Sequence, residues 1–279
     1  MKRLILSILI LLFSFSALCE APLPADSVLS IDLDGDGTEE TVSWRMIPDD
    51  YDEHIILTVT TPSGEIVTYT TDINGEQAVY VIDLDGDGMQ ELLLTGDVMS
   101  DDYYTWCLHY ANGALHEVLF PDAERGDNNV DSYYKYGYGR ITTLESGRIN
   151  LTGSQDVLGT WFASRTFTLS PWERFEFDDE GLWVRNPGDE KDLEDLWAYA
   201  ALTVKTPLAY VDDQGNAGSL QPGDRILIYA SDKETSAWFT TQDGVSGVLS
   251  IAPDYDRGWG RMVDGIPEEE CFEHVPYAD

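Results

Sequence analysis

A nine-residue acidic segment occurs twice in this chain, and it limits the fold more than any other feature. The copies are Asp32-Leu33-Asp34-Gly35-Asp36-Gly37-Thr38-Glu39-Glu40 and Asp83-Leu84-Asp85-Gly86-Asp87-Gly88-Met89-Gln90-Glu91. Both carry carboxylates at positions 1, 3, 5 and 9 and glycine at positions 4 and 6. So many like charges in so short a segment repel one another unless a cation sits among them. A Ca2+ ion takes roughly six to eight oxygen ligands, which a looped chain of alternating Asp can supply. Positions 1, 3 and 5 would turn their side chains inward, position 7 would offer its backbone carbonyl and position 9 its carboxylate. Glycine lets the backbone turn with positive φ. The competing reading is a solvated Asp-Gly turn between strands, since these residues dominate turns for local reasons. Two copies in one register favour the ion. An EF-hand does not fit, because it needs a bidentate Glu at about position 12, where this chain has Ser43 and Leu94. The flanking runs Val28-Leu29-Ser30-Ile31 and Val79-Tyr80-Val81-Ile82 also read as strands, not helices.

The grammar around each loop repeats as well. The first unit reads as strand 27–31, acidic loop, strand 41–46, then a hairpin of His54–Thr61 and Ile66–Thr70 turning at Pro62-Ser63-Gly64. The second begins 51 residues later: strand 78–82, acidic loop, Leu92-Leu93-Leu94, then a hairpin of Tyr103–Tyr110 and Leu115–Phe120. Four short strands per unit, repeated, is the pattern of propeller blades. Residues 121–190 continue as strands without a third acidic loop: Lys135–Thr142, Arg148–Leu151, Trp161–Leu169, then Trp172–Phe177 paired with Leu182-Trp183-Val184 across Asp178-Asp179-Glu180-Gly181. Between Lys191 and Leu202, the residues Leu193, Leu196, Trp197 and Ala200 recur at helical spacing.

The motif D-x-D-G-D-G-x-x-E between two strands resembles the calcium loop of FG-GAP/VCBS-type repeats, found in integrin α-chain propellers and in many secreted bacterial proteins. The resemblance covers about residues 25–120 and implies structural Ca2+ in a propeller-like fold. Carried onto this chain, it implies one site from Asp32, Asp34, Asp36, the Thr38 carbonyl and Glu40. A second site follows from Asp83, Asp85, Asp87, the Met89 carbonyl and Glu91. Residues from about 200 to 275 resemble bacterial SH3-like domains through Pro222-Gly223-Asp224 entering an apolar strand, Trp238-Phe239, and Asp243-Gly244-Val245-Ser246-Gly247-Val248-Leu249. Pro207–Ala217 replaces that family's usual Asn-Val-Arg-Ser-Gly-type segment, so no ligand-binding residue transfers. Contact with cell-wall glycan, peptidoglycan or a surface protein, or a purely structural appendage, is what that resemblance implies. The expected architecture is therefore all-β: a small or incomplete propeller-like domain over 25–190, a linker or short helix over 191–201, and an SH3-like barrel over 202–279.

Lys2-Arg3 followed by the apolar run Leu4–Leu18 reads as a secretory signal peptide ending near Ala21, the run being shorter than the ~20 residues a membrane span needs. Cys19 invites a lipoprotein reading, but Leu18 before it is too large for a usual lipobox. The formal net charge of −36 opposes binding to nucleic acid or to anionic membrane surfaces, and loss of Lys2 and Arg3 deepens it. Cys107 and Cys271 are left after processing, and spacing alone leaves their pairing open.

No nucleophile elbow, phosphate loop or zinc-protease motif is present. The four histidines are His54, His109, His116 and His274, and the first two fall in predicted strands, where structural roles are commoner than catalytic ones. Two aromatic groups, Tyr103-Tyr104-Trp106 and Tyr133-Tyr134-Tyr136-Tyr138, read either as core packing or as ligand platforms. The reading is a secreted or cell-surface calcium-binding module for adhesion or recognition without catalysis. The alternative is an extracellular carbohydrate-active hydrolase or an accessory subunit of one.

Overall fold

The computed structural model describes residues 21–48, 53–73, 75–99, 102–121, 133–170, 174–178, 181–185, 190–255 and 260–277. The signal-peptide and Cys19 readings, the polar loop 122–129 and the ring of Tyr133 lie outside the residues described. Within them the protein is all-β, built from antiparallel sheets, and no helix is long and apolar enough to cross a membrane.

The first unit is a four-stranded meander of β1 (Val28–Ile31), β2 (Glu40–Pro48), β3 (Glu53–Thr60) and β4 (Ile66–Asp72). The second repeats it with β5 (Gly75–Ile82), β6 (Glu91–Met99), β7 (Asp102–Ala111) and β8 (Ala114–Val118). After the short strands β9 (Phe120–Pro121) and β10 (Tyr133–Tyr134), β11 (Gly137–Tyr138) adds to the edge of β7. A third meander follows: β12 (Arg140–Glu145), β13 (Arg148–Asp156), β14 (Thr160–Ser170) and β15 (Arg174–Phe177). Its first hairpin turns at Ser146-Gly147, where the other two units carry the acidic loop.

These sheets pack face on face in chain order, because alternating residues send apolar side chains to both faces of the middle sheet. One core joins Val42, Trp44, Ile55 and Leu57 of the first unit to Val79, Leu92, Leu94 and Trp106 of the second. From the opposite face of the second, Leu93, Cys107 and Val118 pack on Leu144, Ile149, Leu151 and Phe167 of the third. Among the described residues these sheets close no propeller ring and no barrel.

The third sheet runs on into the C-terminal part. Strand β16 (Trp183–Arg185) does not form the expected hairpin with β15: both pair with the long β14 at different registers, and β16 pairs on its other edge with β20 (Arg225–Ser231), so one sheet spans the expected linker at 191–201. The linker holds helix α1 (Glu190–Tyr199), tied down where the Arg225 guanidinium donates to the Trp197 carbonyl. The remaining strands are β17 (Leu202–Thr203), β18 (Leu208–Val211), β19 (Ala217–Leu220), β21 (Ser236–Thr241), β22 (Ser246–Pro253), β23 (Arg261–Val263) and β24 (Ile266–Pro267), before helix α2 (Glu268–Cys271). The C-terminal segment returns to the third meander: the Thr160 N–H donates to the Pro276 carbonyl at 3.0 Å. Trp161, Ala163 and Trp183 accordingly share one core with Leu202, Ile228, Phe239 and Phe272.

Cys107 and Cys271 are both free thiols, buried in separate cores. The aromatic groups are mostly core. Tyr103, Trp106 and Tyr138 are buried, and Tyr136 meets Tyr104 edge-on at 4.7 Å.

Candidate metal centres

Each acidic segment forms the connection between the first two strands of its unit. Strand pairing brings the ends together: Ile31 opposes Glu40, and Ile82 opposes Glu91. Position 1 thus lies near position 9, with the intervening chain forced to loop outward. Gly37 and Gly88 at position 6 have φ of +87° and +92°, a left-handed backbone that disfavours any residue with a Cβ.

The two loops share one hydrogen-bond scheme. The position-6 N–H donates to the first Asp, Gly37 to Asp32 Oδ2 at 2.8 Å and Gly88 to Asp83 Oδ2 at 3.1 Å. The position-7 N–H donates to the Asp at position 5, Thr38 to Asp36 at 2.7 Å and Met89 to Asp87 at 2.8 Å. The buried glutamate at position 9 accepts from the backbone of position 2, Leu33 to Glu40 at 3.1 Å and Leu84 to Glu91 at 2.7 Å. Both leucines are fully buried.

In each loop three carboxylates converge. Oxygens of Asp32, Asp34 and Glu40 all lie within 4.8 Å of one another, as do those of Asp83, Asp85 and Glu91. The position-5 residues Asp36 and Asp87 fall outside these triads, are exposed, and cap their own loops. Thr38 and Met89, expected to offer carbonyls, follow on the same turns. Three acceptor-only groups crowded together suit a hard cation that oxygen ligands satisfy. The residues fit such an ion on a further observation: Asp32 Oδ1 is buried and accepts no hydrogen bond. A desolvated, unsatisfied carboxylate oxygen is costly unless a positive charge compensates it.

Electrostatics in the second loop point the same way. Burial, followed by the Asp85, Asp87 and Asp83 charges, pushes Glu91 up to about 7, although the Leu84 N–H opposes the shift. Asp85 is also raised, mainly by burial.

The loops are also joints between sheets. The Gln90 N–H of the second loop donates to the Leu33 carbonyl of the first at 2.9 Å. The Gly147 N–H of the third unit likewise donates to the Leu84 carbonyl. Leu33 packs in the core between units one and two, and Leu84 in the core between units two and three. Neither the leucines nor the joints follow from the acidic motif itself. The visible signal was the same apolar residue at position 2 of both copies.

The fold and these loops define an antiparallel all-β protein with two acidic, cation-suited turns at its sheet junctions. Comparison with protein-family models, with curated proteins and with solved structures finds no match to this chain.

Proposed function

We propose that this chain is a calcium-binding protein acting outside the cell in adhesion or recognition, with two Ca2+ ions in a structural role. The observation that carries the proposal is the pair of carboxylate triads held by one hydrogen-bond scheme. Asp32, Asp34 and Glu40 would hold one ion and Asp83, Asp85 and Glu91 the other, with Asp36, Asp87 and the Thr38 and Met89 carbonyls completing the shells. The ion supplies positive charge that offsets carboxylate repulsion, and thereby locks the turn carrying Leu33 or Leu84 into its core. Repeated meanders with a loop between their first two strands support a propeller-like arrangement of the FG-GAP/VCBS type, and the strands from 202 onward an SH3-like module. Cell-wall glycan, peptidoglycan or a surface protein are the partners this reading brings.

The test is a thermal melt of residues 22–279 in EDTA and again in excess Ca2+. An ion that binds only the folded state adds about 2.7 kcal/mol at a hundredfold excess over Kd, or about 5 kcal/mol for two sites. At about 2–4 °C per kcal/mol for a chain of this size, the melting temperature should rise by about 10–20 °C. An unchanged melt, with no ion found by elemental analysis, refutes the proposal.

A further inference from the structure

The C-terminal strands carry a cleft of about 430 Å3 between the turn that enters β20 and the turn joining β21 to β22, lined among others by Tyr210, Ser219, Asp224, Thr241, Gln242 and Asp243. Its size falls within the range typical of small-ligand sites. Tyr210 is held rigidly there. A Cβ at Gly218 would fall 2.2 Å from the Tyr210 Cζ, and one at Gly247 2.5 Å from its Cδ2. The ring is thus wedged against two glycine backbones, and it meets Phe239 edge-on at 5.2 Å. A half-buried, pre-positioned aromatic ring offers an apolar surface at small entropic cost.

The other lining groups set the chemistry. Hydroxyls, an amide and carboxylates supply donors and acceptors around the ring, which suits a ligand whose groups both donate and accept. Anionic ligands are disfavoured, because the chain carries a net charge of −36 and the lining sets the carboxylates Asp224 and Asp243 against the one cation Arg225, which also donates to the Trp197 carbonyl. Asp224 and Asp243 each have one oxygen tied to their own turn, by the Gln221 N–H at 2.6 Å and the Thr241 hydroxyl at 2.5 Å, which leaves the other to accept from a sugar hydroxyl. An ammonium group would use the same acceptors, and trilysine is the control for it. We infer that this cleft binds a short neutral saccharide, one ring stacked on Tyr210 and its hydroxyls bonded to the carboxylate and amide rim. This inference deepens the recognition reading above and rests on it, but it does not depend on calcium.

The experiment titrates isotope-labelled residues 22–279 with cellobiose, maltose and N,N′-diacetylchitobiose, following backbone amide NMR shifts. Digalacturonate and trilysine serve as charged controls. At least one neutral disaccharide should give saturable shifts confined to 218–225 and 241–247, and digalacturonate none. Ser219→Trp, which fills the cleft from an exposed position, should weaken binding about tenfold or more, equivalent to 1.4 kcal/mol. Gly218→Ala, which displaces the ring without removing it, should do the same. Absence of saturable shifts with all three disaccharides, binding of trilysine alone, or full affinity in Ser219→Trp overturns the inference. Repeating the titration in EDTA separates the two readings. Persistent shifts in a chain that takes up no ion leave this cleft standing and remove the calcium sites, whereas ion uptake without shifts removes the cleft alone.

Discussion

Replacing Glu91 by Gln should change stability with opposite signs in the absence and presence of calcium. Glu91 is 5% exposed, its carboxylate accepts the Leu84 N–H at 2.7 Å, and it shares its loop with three other acids. Burial raises its pKa from an ordinary 4.5 to about 7. The folded state therefore holds the Glu91 proton more tightly than the unfolded chain does. Without metal, stability is lost as pH rises from 4.5 through 7 and regained as pH falls back. At about 1.4 kcal/mol per pKa unit, the ionised carboxylate costs the metal-free fold up to about 3 kcal/mol at pH 8. Gln keeps an oxygen for the Leu84 N–H and removes the charge. In EDTA at pH 8 the variant should melt about 6–12 °C higher than the parent, at about 2–4 °C per kcal/mol. The gap should shrink towards pH 5, where the parent's folded state carries its own proton. In saturating Ca2+ the order should reverse, because the variant has lost a charged ligand and binds the ion more weakly. Differential scanning calorimetry of both proteins at two pH values, with and without Ca2+, reads all of this. A variant less stable than the parent in EDTA at pH 8, or a gap that ignores pH, would refute the reasoning.

Leu33→Ala and Leu84→Ala should each cost about 2–5 kcal/mol in urea denaturation, since both side chains are fully buried at sheet junctions; a loss under about 1 kcal/mol would show that the loops do not anchor the sheets. Gly88→Ala meets no atom within 4 Å, so its expected penalty of about 1–2 kcal/mol is backbone strain alone, and circular-dichroism melts should show it without loss of the fold. Cys107 and Cys271 should react with a thiol reagent such as DTNB only on unfolding, because burial raises Cys107 well above the ordinary thiol range and pushes Cys271 to about 11; rapid labelling of the native protein would contradict their placement. Trp106→Ala should cost about 3–5 kcal/mol, a core loss that a surface platform residue would not show.

Much of the local structure was legible in the order of residues. Apolar and β-branched runs broken by Gly, Asn, Asp and Pro marked the strands of the first two meanders and most of the third, where Lys135–Thr142 reads as one strand but divides into β11 on β7 and β12 on β13. The acidic loops were equally plain, because Asp and Gly at fixed spacing form a local pattern. The aromatic groups were ambiguous for a physical reason. An alternating aromatic strand looks the same whether the sheet covering it comes from this chain or from a ligand. Only the stacking of the first two meanders put Trp106 in a core, and only β11 on the edge of β7 brought Tyr138 beneath Lys233, whose ammonium lies 4.9 Å from its ring.

The boundary at 191–201 shows the same division. Composition changes there and a helix forms there, both local events, yet β16 crosses the gap by pairing with β14 on one side and β20 on the other. Strand partners distant in sequence leave no mark in local composition. The duplicated loop divides in the same way. Its sequence alone determined that carboxylates would crowd at two turns and that a cation would relieve them, because charge and spacing are properties of nine consecutive residues. Tertiary structure decided that three of the four motif acids converge while Asp36 and Asp87 cap their own turns, and that each loop lodges its leucine between neighbouring sheets. Those outcomes depend on how whole sheets pack, and that packing is decided by contacts between residues far apart in the chain.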